Sequence, residues 1–282
     1  MSASSPIAVQ IDGIAATGVD ALDRGMHYGD GLFETIACRA GLARFLDLHL
    51  QRLTEGCARL GIRLPALPVL AGQLRALAAT QSDSLIKLIL TRGNATARGY
   101  GAQGDETPRT VVLQYRWPAE DPKLWEQGVA VRVARGRLGE NPALAGLKHL
   151  NRLEQILIRG EWTDPAIHEA LVFSSSGWLV SGTMSNVFLV GAGRIMTPAL
   201  THAGVRGVMR RVVLREAQHE GLQSAELALD AGALAAAEEI FVTNARIGIW
   251  PVRVLDGIVR PVGPVTRRLQ QRLRPLLEAH DA

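Results

Sequence analysis

The chain holds only three lysines, Lys87, Lys123 and Lys148, against 28 arginines. Chemistry that needs a primary amine therefore has three candidates. Lys148 follows the apolar run Ala145-Gly146-Leu147 and precedes a helical pattern. A lysine in partly desolvated ground has its pKa pushed down from about 10.4, which makes the neutral, nucleophilic amine accessible. A surface lysine near a helix terminus is the competing meaning of the same pattern.

Four other stretches place polar or glycine residues where a ligand could be held. Asp23-Arg24-Gly25-Met26-His27-Tyr28-Gly29-Asp30-Gly31 precedes a strand-like run, and its glycines permit positive φ and close backbone approach; it is a cofactor loop or an ordinary turn. Ser181-Gly182-Thr183-Met184-Ser185-Asn186 leads into an apolar strand. In Gly204-Val205-Arg206-Gly207-Val208-Met209-Arg210 glycines precede a helix, whose first N–H groups suit a phosphate. Phe241-Val242-Thr243-Asn244-Ala245 ends a buried strand in polar residues and offers a second set of phosphate donors. There is no GxxxxGK[ST] and no GxGxxG after a strand, so no nucleotide fingerprint is present. The seven histidines are dispersed without ligand spacing, so no metal site is expected.

The elements that must position these residues divide at Trp117-Pro118-Ala119-Glu120-Asp121-Pro122, where two prolines and two acids interrupt the pattern. Before it, residues 1–116 read as an α+β domain. Strands are expected at Ile7–Ile11, Leu32–Cys38, Leu85–Thr91 and Thr110–Tyr115, with one helix capped by Asp47 and another over Leu70–Ala79. Residues 117–122 form the linker, and 123–282 a second α/β domain that carries Lys148. There the pattern predicts strands at Val129–Ala134, Glu169–Ser174, Asn186–Val190 and Ile240–Thr243. Helices are expected at His149–Arg159, with Leu150, Leu153, Ile156 and Leu157 on one face, and at Val265–Ala279.

Composition narrows the function classes. With 282 residues and 47% hydrophobic content the chain supplies a packed core, which excludes a disordered or fibrous protein. Two cysteines, Cys38 and Cys57, cannot staple a secreted fold of this size, which suggests a reducing, cytoplasmic setting. The start, Met1 to Gln10, has no basic region followed by an apolar one, and no membrane-length apolar run occurs, so a soluble protein is expected. The net charge of +4 is scattered, and aromatics are only 5%, which argues against nucleic acid and for a mild attraction of small anions.

The ordered motifs DRGxxxGDGxFET, HLQRL, TRGxxxRGY, AGLKHLNRLEQ, SGTMSNVF, GVRGVMR and FVTNA, from about Asp23 to Pro251, resemble the fold-type IV pyridoxal-phosphate enzymes. That group contains D-amino acid and branched-chain aminotransferases and 4-amino-4-deoxychorismate lyase. KHLNRLEQ after the lysine, the RGY loop and Asn244-Ala245 resemble the lyase versions of these motifs. The resemblance implies a two-domain fold like that of D-amino acid aminotransferase, with pyridoxal 5'-phosphate in the interdomain cleft. It implies that Lys148 is the Schiff-base lysine and that Arg52 reaches the cofactor phosphate, with backbone N–H groups of Val208, Met209, Asn244 and Ala245. It further implies that Arg98 and Tyr100 meet a substrate carboxylate, that Phe33 and Thr35 line the pocket, and that the protein is a homodimer acting on a small molecule.

The implied activity is elimination of pyruvate to give p-aminobenzoate for folate synthesis. An aminotransferase of the same fold and a non-catalytic cofactor-binding paralogue are the alternatives. One departure stands out. The family commonly carries a glutamate where this chain has Ser181, and that carboxylate keeps the pyridine nitrogen protonated. A neutral hydroxyl makes the ring a weaker electron sink, which favours an aromatising elimination over transamination.

Overall fold

A computed structural model of the protein describes residues 5–95, 97–119 and 121–278. Met1–Ser4 of the N-terminal stretch, Glu120 of the expected linker and Ala279 of the expected C-terminal helix lie outside the described residues. The chain divides into two compact units. One consists mainly of residues up to Pro118 together with Leu147–Asn151, the other of Ala119–Gly146 and Arg152–Leu277.

The first unit is a six-stranded sheet of order β2-β1-β6-β5-β3-β4. Its elements are β1 (Ala8–Ile11), β2 (Ile14–Ala15), α1 (Arg24–Tyr28), β3 (Gly31–Arg39), β4 (Leu42–Ala43), α2 (Leu46–Leu60), α3 (Leu67–Ala78), β5 (Ser84–Thr91) and β6 (Arg109–Arg116). Alternation sets the faces. Leu32, Ile36 and Cys38 of β3 and Ile86, Leu88 and Leu90 of β5 are buried in one core with Leu50, Leu53 and Cys57 of α2 and Leu70 and Leu74 of α3. Phe33, Thr35 and Lys87 alternate with them and are half-buried on the other face. Each buried leucine is worth about 1.5–3 kcal/mol, so this two-layer packing is the main stabiliser of the unit.

In α2 the apolar positions 46, 50, 53 and 57 recur at helical spacing, and the helix stops at Gly61, whose φ of 62° closes the last turn. Asp47 does not cap it, contrary to expectation. The cap position is Phe45, in the left-handed region and without a side-chain bond, and Asp47 lies one residue inside the helix. The acidic side chain there still favours the positive end of the helix dipole.

The second unit contains α4 (Pro122–Gln127), β7 (Val129–Leu138), α5 (Leu153–Arg159), β8 (Ile167–Ser174), β9 (Leu179–Gly182), β10 (Asn186–Gly191), β11 (Arg194–Pro198), α6 (Val208–His219), β12 (Ser224–Leu227), α7 (Ala231–Ala236), β13 (Glu239–Asn244), β14 (Gly248–Leu255), β15 (Ile258–Val259) and α8 (Pro264–Glu278). Its strands run in the order β12-β11-β10-β13-β14-β7-β8-β9, with β15 paired to β14. The sheet is mixed: β14-β7-β8 and β11-β12 pair in parallel, the others antiparallel. Leu171, Phe173, Leu189, Val242 and Val252 form one core on it. Four-residue β9, which brings Ser181 into the sheet, is too short for alternation to reveal.

The helix expected over His149–Arg159 begins only at Leu153. Residues 149–151 are drawn off toward β3 and the residues just before it, and Arg152 takes the N-cap position. Leu153, Ile156 and Leu157 share a face as the spacing predicts, but within the chain that face is exposed, Leu153 and Leu157 at 74% each.

Candidate active site

Lys148 is placed by an edge. Short β4 pairs only with Cys38 and Arg39, which leaves the first half of that side of β3 open. Residues Leu147–Asn151 fill it: the Phe33 amide donates to the Lys148 carbonyl at 2.9 Å, the Leu150 amide donates to the Gly31 carbonyl at 3.0 Å, and Leu32 and His149 form an antiparallel bridge. Chain position put Lys148 in the second domain, whereas its backbone is grouped with the first unit. The pairing sends its side chain over Phe33, Nζ lying 4.1 Å from the ring centroid. An aromatic face beside an amine stabilises the ammonium modestly while shielding it from water. Asn151 closes the arrangement by donating to the Gly29 carbonyl at 3.2 Å. Gly29 has φ 65°, and a Cβ there would stand 2.5 Å from the Asn151 Oδ1, so a side chain at position 29 would be strained and would displace the Asn151 amide.

Beneath Phe33, on the core side of β3, Glu34 is buried with two partners from α2. It accepts from Nδ1 of His49 at 2.6 Å and from Nε of Arg52 at 2.8 Å, and Nη2 of Arg52 completes the fork. Burial alone would raise the Glu34 pKa. The Arg52 charge and the His49 bond overcome it and hold the carboxyl at about 2. Burial lowers the pKa of His49, Glu34 opposes that fall, and the charges of Arg52 and Lys148 add to it. The net effect favours the neutral imidazole over the charged form. Arg52, expected at a phosphate, gives two of its donors to Glu34 here.

The glycine-rich stretch before β3 is a short helix with a charged joint. Asp23 caps α1 by accepting from the Gly25 amide at 2.8 Å, and its other oxygen accepts from the Thr91 hydroxyl at 2.8 Å. Asp30 is shared by Arg24 and Arg92, each Nε donating at 2.8 Å. Arg24 also donates to the carbonyls of Gly99, Tyr100 and Gly101, at 3.3, 2.8 and 3.4 Å. Arg98 and Tyr100 ride on that loop with exposed side chains, Tyr100 at 86%, its ring edge-on to Tyr28 at 5.3 Å.

In the second unit the Ser181 hydroxyl is buried and donates to the Gly182 carbonyl at 2.8 Å. The turn after it is built on Glu169, a buried carboxylate that accepts from the amides of Ala170, Thr183 and Met184 and the hydroxyls of Thr183 and Ser185. Helix α6 starts on Gly207 with no side chain capping it, so the amides of Val208 and Met209 compete with no capping side chain for an acceptor. A Cβ on Gly207 would come within 2.0 Å of the Asn186 Oδ1, and Asn186 is fixed by donating to the Val205 carbonyl at 2.8 Å. Asn244 shapes its own turn, its Oδ1 accepting from the amides of Arg246 and Ile247 at 3.0 Å and its Nδ2 donating to the Met184 carbonyl at 3.2 Å.

The first unit therefore brings Lys148, Phe33, Arg52 and, unforeseen, Glu34 and His49 onto and beneath one strand. The second brings Ser181, Asn186 and Asn244 to neighbouring turns. Sequence reading overlooked Glu34, His49, Arg24, Asp30 and Glu169 as functional supports, although the first four lie inside the quoted motifs. A cavity of about 400 Å³ lined by Arg137, Phe173, Leu234 and Arg260 contains none of these residues. Among the described residues no cluster of His, Cys, Asp and Glu suits a metal, and no helix is long and apolar enough to cross a membrane.

The first unit thus offers an amine beside an aromatic ring and a buried guanidinium, and the second a helix N-terminus with no capping side chain. The family model for amino-transferase class IV matches residues 31–255, and the chain belongs to that pyridoxal-phosphate-dependent family, with its fold-type IV architecture. It is 33% identical to the aminodeoxychorismate lyase of Vibrio harveyi over 93% of this chain and 98% of that protein. It is 31% identical to the D-alanine aminotransferase of Bacillus licheniformis over 91% and 90%. The solved 4-amino-4-deoxychorismate lyase of Pseudomonas aeruginosa superposes with a TM-score of 0.92 at 45% identity, covering 96% of this chain and all of the other.

Proposed function

We propose that the protein is a pyridoxal-phosphate-dependent lyase that converts 4-amino-4-deoxychorismate to p-aminobenzoate and pyruvate. The observation that carries this reading is the Lys148 amine, fixed through its own backbone to β3 and set over Phe33, in a chain 45% identical to a solved lyase. The donor set fits the cofactor. Lys148 is assigned to its aldehyde carbon, and Arg52 with the amides of Val208, Met209, Asn244 and Ala245 to its phosphate. Ser181 is assigned to the pyridine nitrogen.

When bound, the cofactor withdraws electrons from the carbon that bears the substrate amine. Lys148 would take the proton from that carbon and return it to the departing enolpyruvyl group. One amine serves as base and then as acid. The C–H and C–O bonds break, pyruvate leaves, and the ring becomes aromatic. Phe33 shields the amine from water, and Glu34 holds Arg52 and His49 in place from beneath. Arg98 and Tyr100 are assigned to a substrate carboxylate, with Thr35 beside Phe33 in the pocket.

The buried, unpaired thiols of Cys38 and Cys57, both pushed up to about 11 by burial, suit a reducing cytoplasm, and we expect a homodimer serving folate synthesis. The likeness to the D-alanine aminotransferase supports transamination as the second reading. Freshly generated aminodeoxychorismate supplied without a keto acid decides between them. Equimolar pyruvate and p-aminobenzoate, lost in Lys148→Ala, are expected. Turnover only after an amino acid and a keto acid are added would move the protein to the aminotransferases.

A further inference from the structure

Lys87 has no part in the site described so far, yet it stands beside it. On β5 it lies directly opposite Thr35 of β3 and on the other side faces Leu113 of β6. Side chains at paired positions share a face, so Lys87, Thr35 and Phe33 form one group on the face away from the helices. The Lys87 Nζ is 5.6 Å from the centroid of the same Phe33 ring that Lys148 approaches to 4.1 Å. Two of the chain's three lysines therefore converge on one aromatic side chain, in the same unit. Lys87 is half-buried and enters no ion pair among the described residues. A partly desolvated ammonium without a counter-ion gains when an anion arrives, and the Thr35 hydroxyl is next to it to donate a further hydrogen bond.

We propose that Lys87 is the anchor for the ring carboxylate of the substrate, at the opposite end of the ring from the amine that Lys148 engages. This rests on the reading of the site as one for aminodeoxychorismate, a six-membered ring with an amine at one end and a carboxylate at the other. Lys148 serves the amine end, and Lys87, beside the same Phe33 ring, is left to meet the carboxylate end. The second carboxylate, on the enolpyruvyl arm, then remains for Arg98 and Tyr100. Lys87 is a specificity residue: a substrate amine without an opposed carboxylate leaves it unsatisfied.

The test is equilibrium binding of p-aminobenzoate and of its uncharged amide, 4-aminobenzamide, to the cofactor-loaded enzyme and to Lys87→Gln, Lys87→Met and Lys87→Arg. Wild type is expected to prefer the acid at least about tenfold. Lys87→Gln and Lys87→Met are expected to lose that preference while binding the amide as before, and Lys87→Arg to keep most of it. The cofactor absorbance and its borohydride trapping on Lys148 should be unchanged in all three, and either neutral variant suffices if the other fails to fold. With aminodeoxychorismate the loss should appear in KM more than in kcat. Retention of the acid preference in the neutral variants would overturn the proposal. If the preference disappears but wild type makes no p-aminobenzoate, the anion site stands and the lyase reading falls.

Discussion

Arg24 and Tyr100 are joined through the main chain: the Arg24 Nη2 donates to the Tyr100 carbonyl at 2.8 Å, while Nε of the same guanidinium holds Asp30 at 2.8 Å. One buried side chain thus ties the approach to β3 to the loop that carries Arg98 and Tyr100. Hydrogen bonds from a charged donor are worth about 1.5–3 kcal/mol each, and here several act on one loop. Arg24→Ala is expected to raise KM for the substrate about tenfold or more with a smaller change in kcat, and to open residues 97–101 to proteolysis. Arg24→Lys, which keeps the charge but not the planar fork, should fall between. An unchanged KM in the alanine variant would mean that the loop holds its place without Arg24.

Glu34 gives a pH dependence with a definite sign. Its pKa is held at about 2, below the ordinary 4.5, because Arg52 and His49 outweigh the cost of burial. A depressed carboxyl contributes stability that is complete above the unfolded value and is lost as pH falls through the folded one. Its share, about 3 kcal/mol at 1.36 kcal/mol per unit, should therefore disappear between about pH 4.5 and pH 2. Glu34→Gln removes that share at every pH and leaves the Arg52 charge buried without its partner, so a loss of about 3–5 kcal/mol at pH 7 is expected. Urea unfolding at stepped pH measures both. A variant with wild-type stability at pH 7 would show that Arg52 and His49 find other partners.

How far this was legible in the sequence depends on range. The alternation in β3 and the spacing of Leu50, Leu53 and Cys57 are local, and they gave the elements and their buried faces. Lys148 stands out in the sequence through its motif, but its placement beside β3 does not, because an edge pairing with Phe33, 115 positions away, leaves no periodic trace and overrides the helical pattern of His149–Asn151. Asp47 looked like a cap from its type alone, whereas the actual cap position is a left-handed Phe45 that no propensity favours. Glu34 and Arg24 lay inside quoted motifs, yet their roles come from partners 18 and 76 residues distant. Lys87 is one of only three amines in the sequence, but nothing local says that β5 lies beside β3.

Gly207 tests the phosphate assignment from the second unit. A Cβ there would meet the Asn186 Oδ1 at 2.0 Å, and Asn186 cannot retreat without breaking its bond to the Val205 carbonyl. The first turn of α6 must shift in Gly207→Ala, and with it the amides of Val208 and Met209. Affinity for pyridoxal 5'-phosphate is expected to fall about tenfold or more, read from the cofactor's absorbance on dialysis, with secondary structure retained. Unaltered retention of the cofactor would remove Val208 and Met209 from its phosphate site.

Ser181 bears on the choice between elimination and transamination. Its hydroxyl proton is given to the Gly182 carbonyl at 2.8 Å, which leaves the oxygen as an acceptor without charge. Such an oxygen can receive a hydrogen bond from a pyridine N–H but does not hold it protonated as a carboxylate would. Ser181→Glu places that charge in a buried position, at a cost in stability unless the cofactor nitrogen takes the proton. In the loaded enzyme the substitution is expected to raise the rate of conversion to the pyridoxamine form by an amino acid about tenfold relative to p-aminobenzoate formation. Rapid-scan absorbance with an amino acid alone gives the first rate, and product release from aminodeoxychorismate the second. A ratio that stays level or drops would mean that the identity of residue 181 does not set the reaction, and that the weak electron sink lies elsewhere in the site or does not exist.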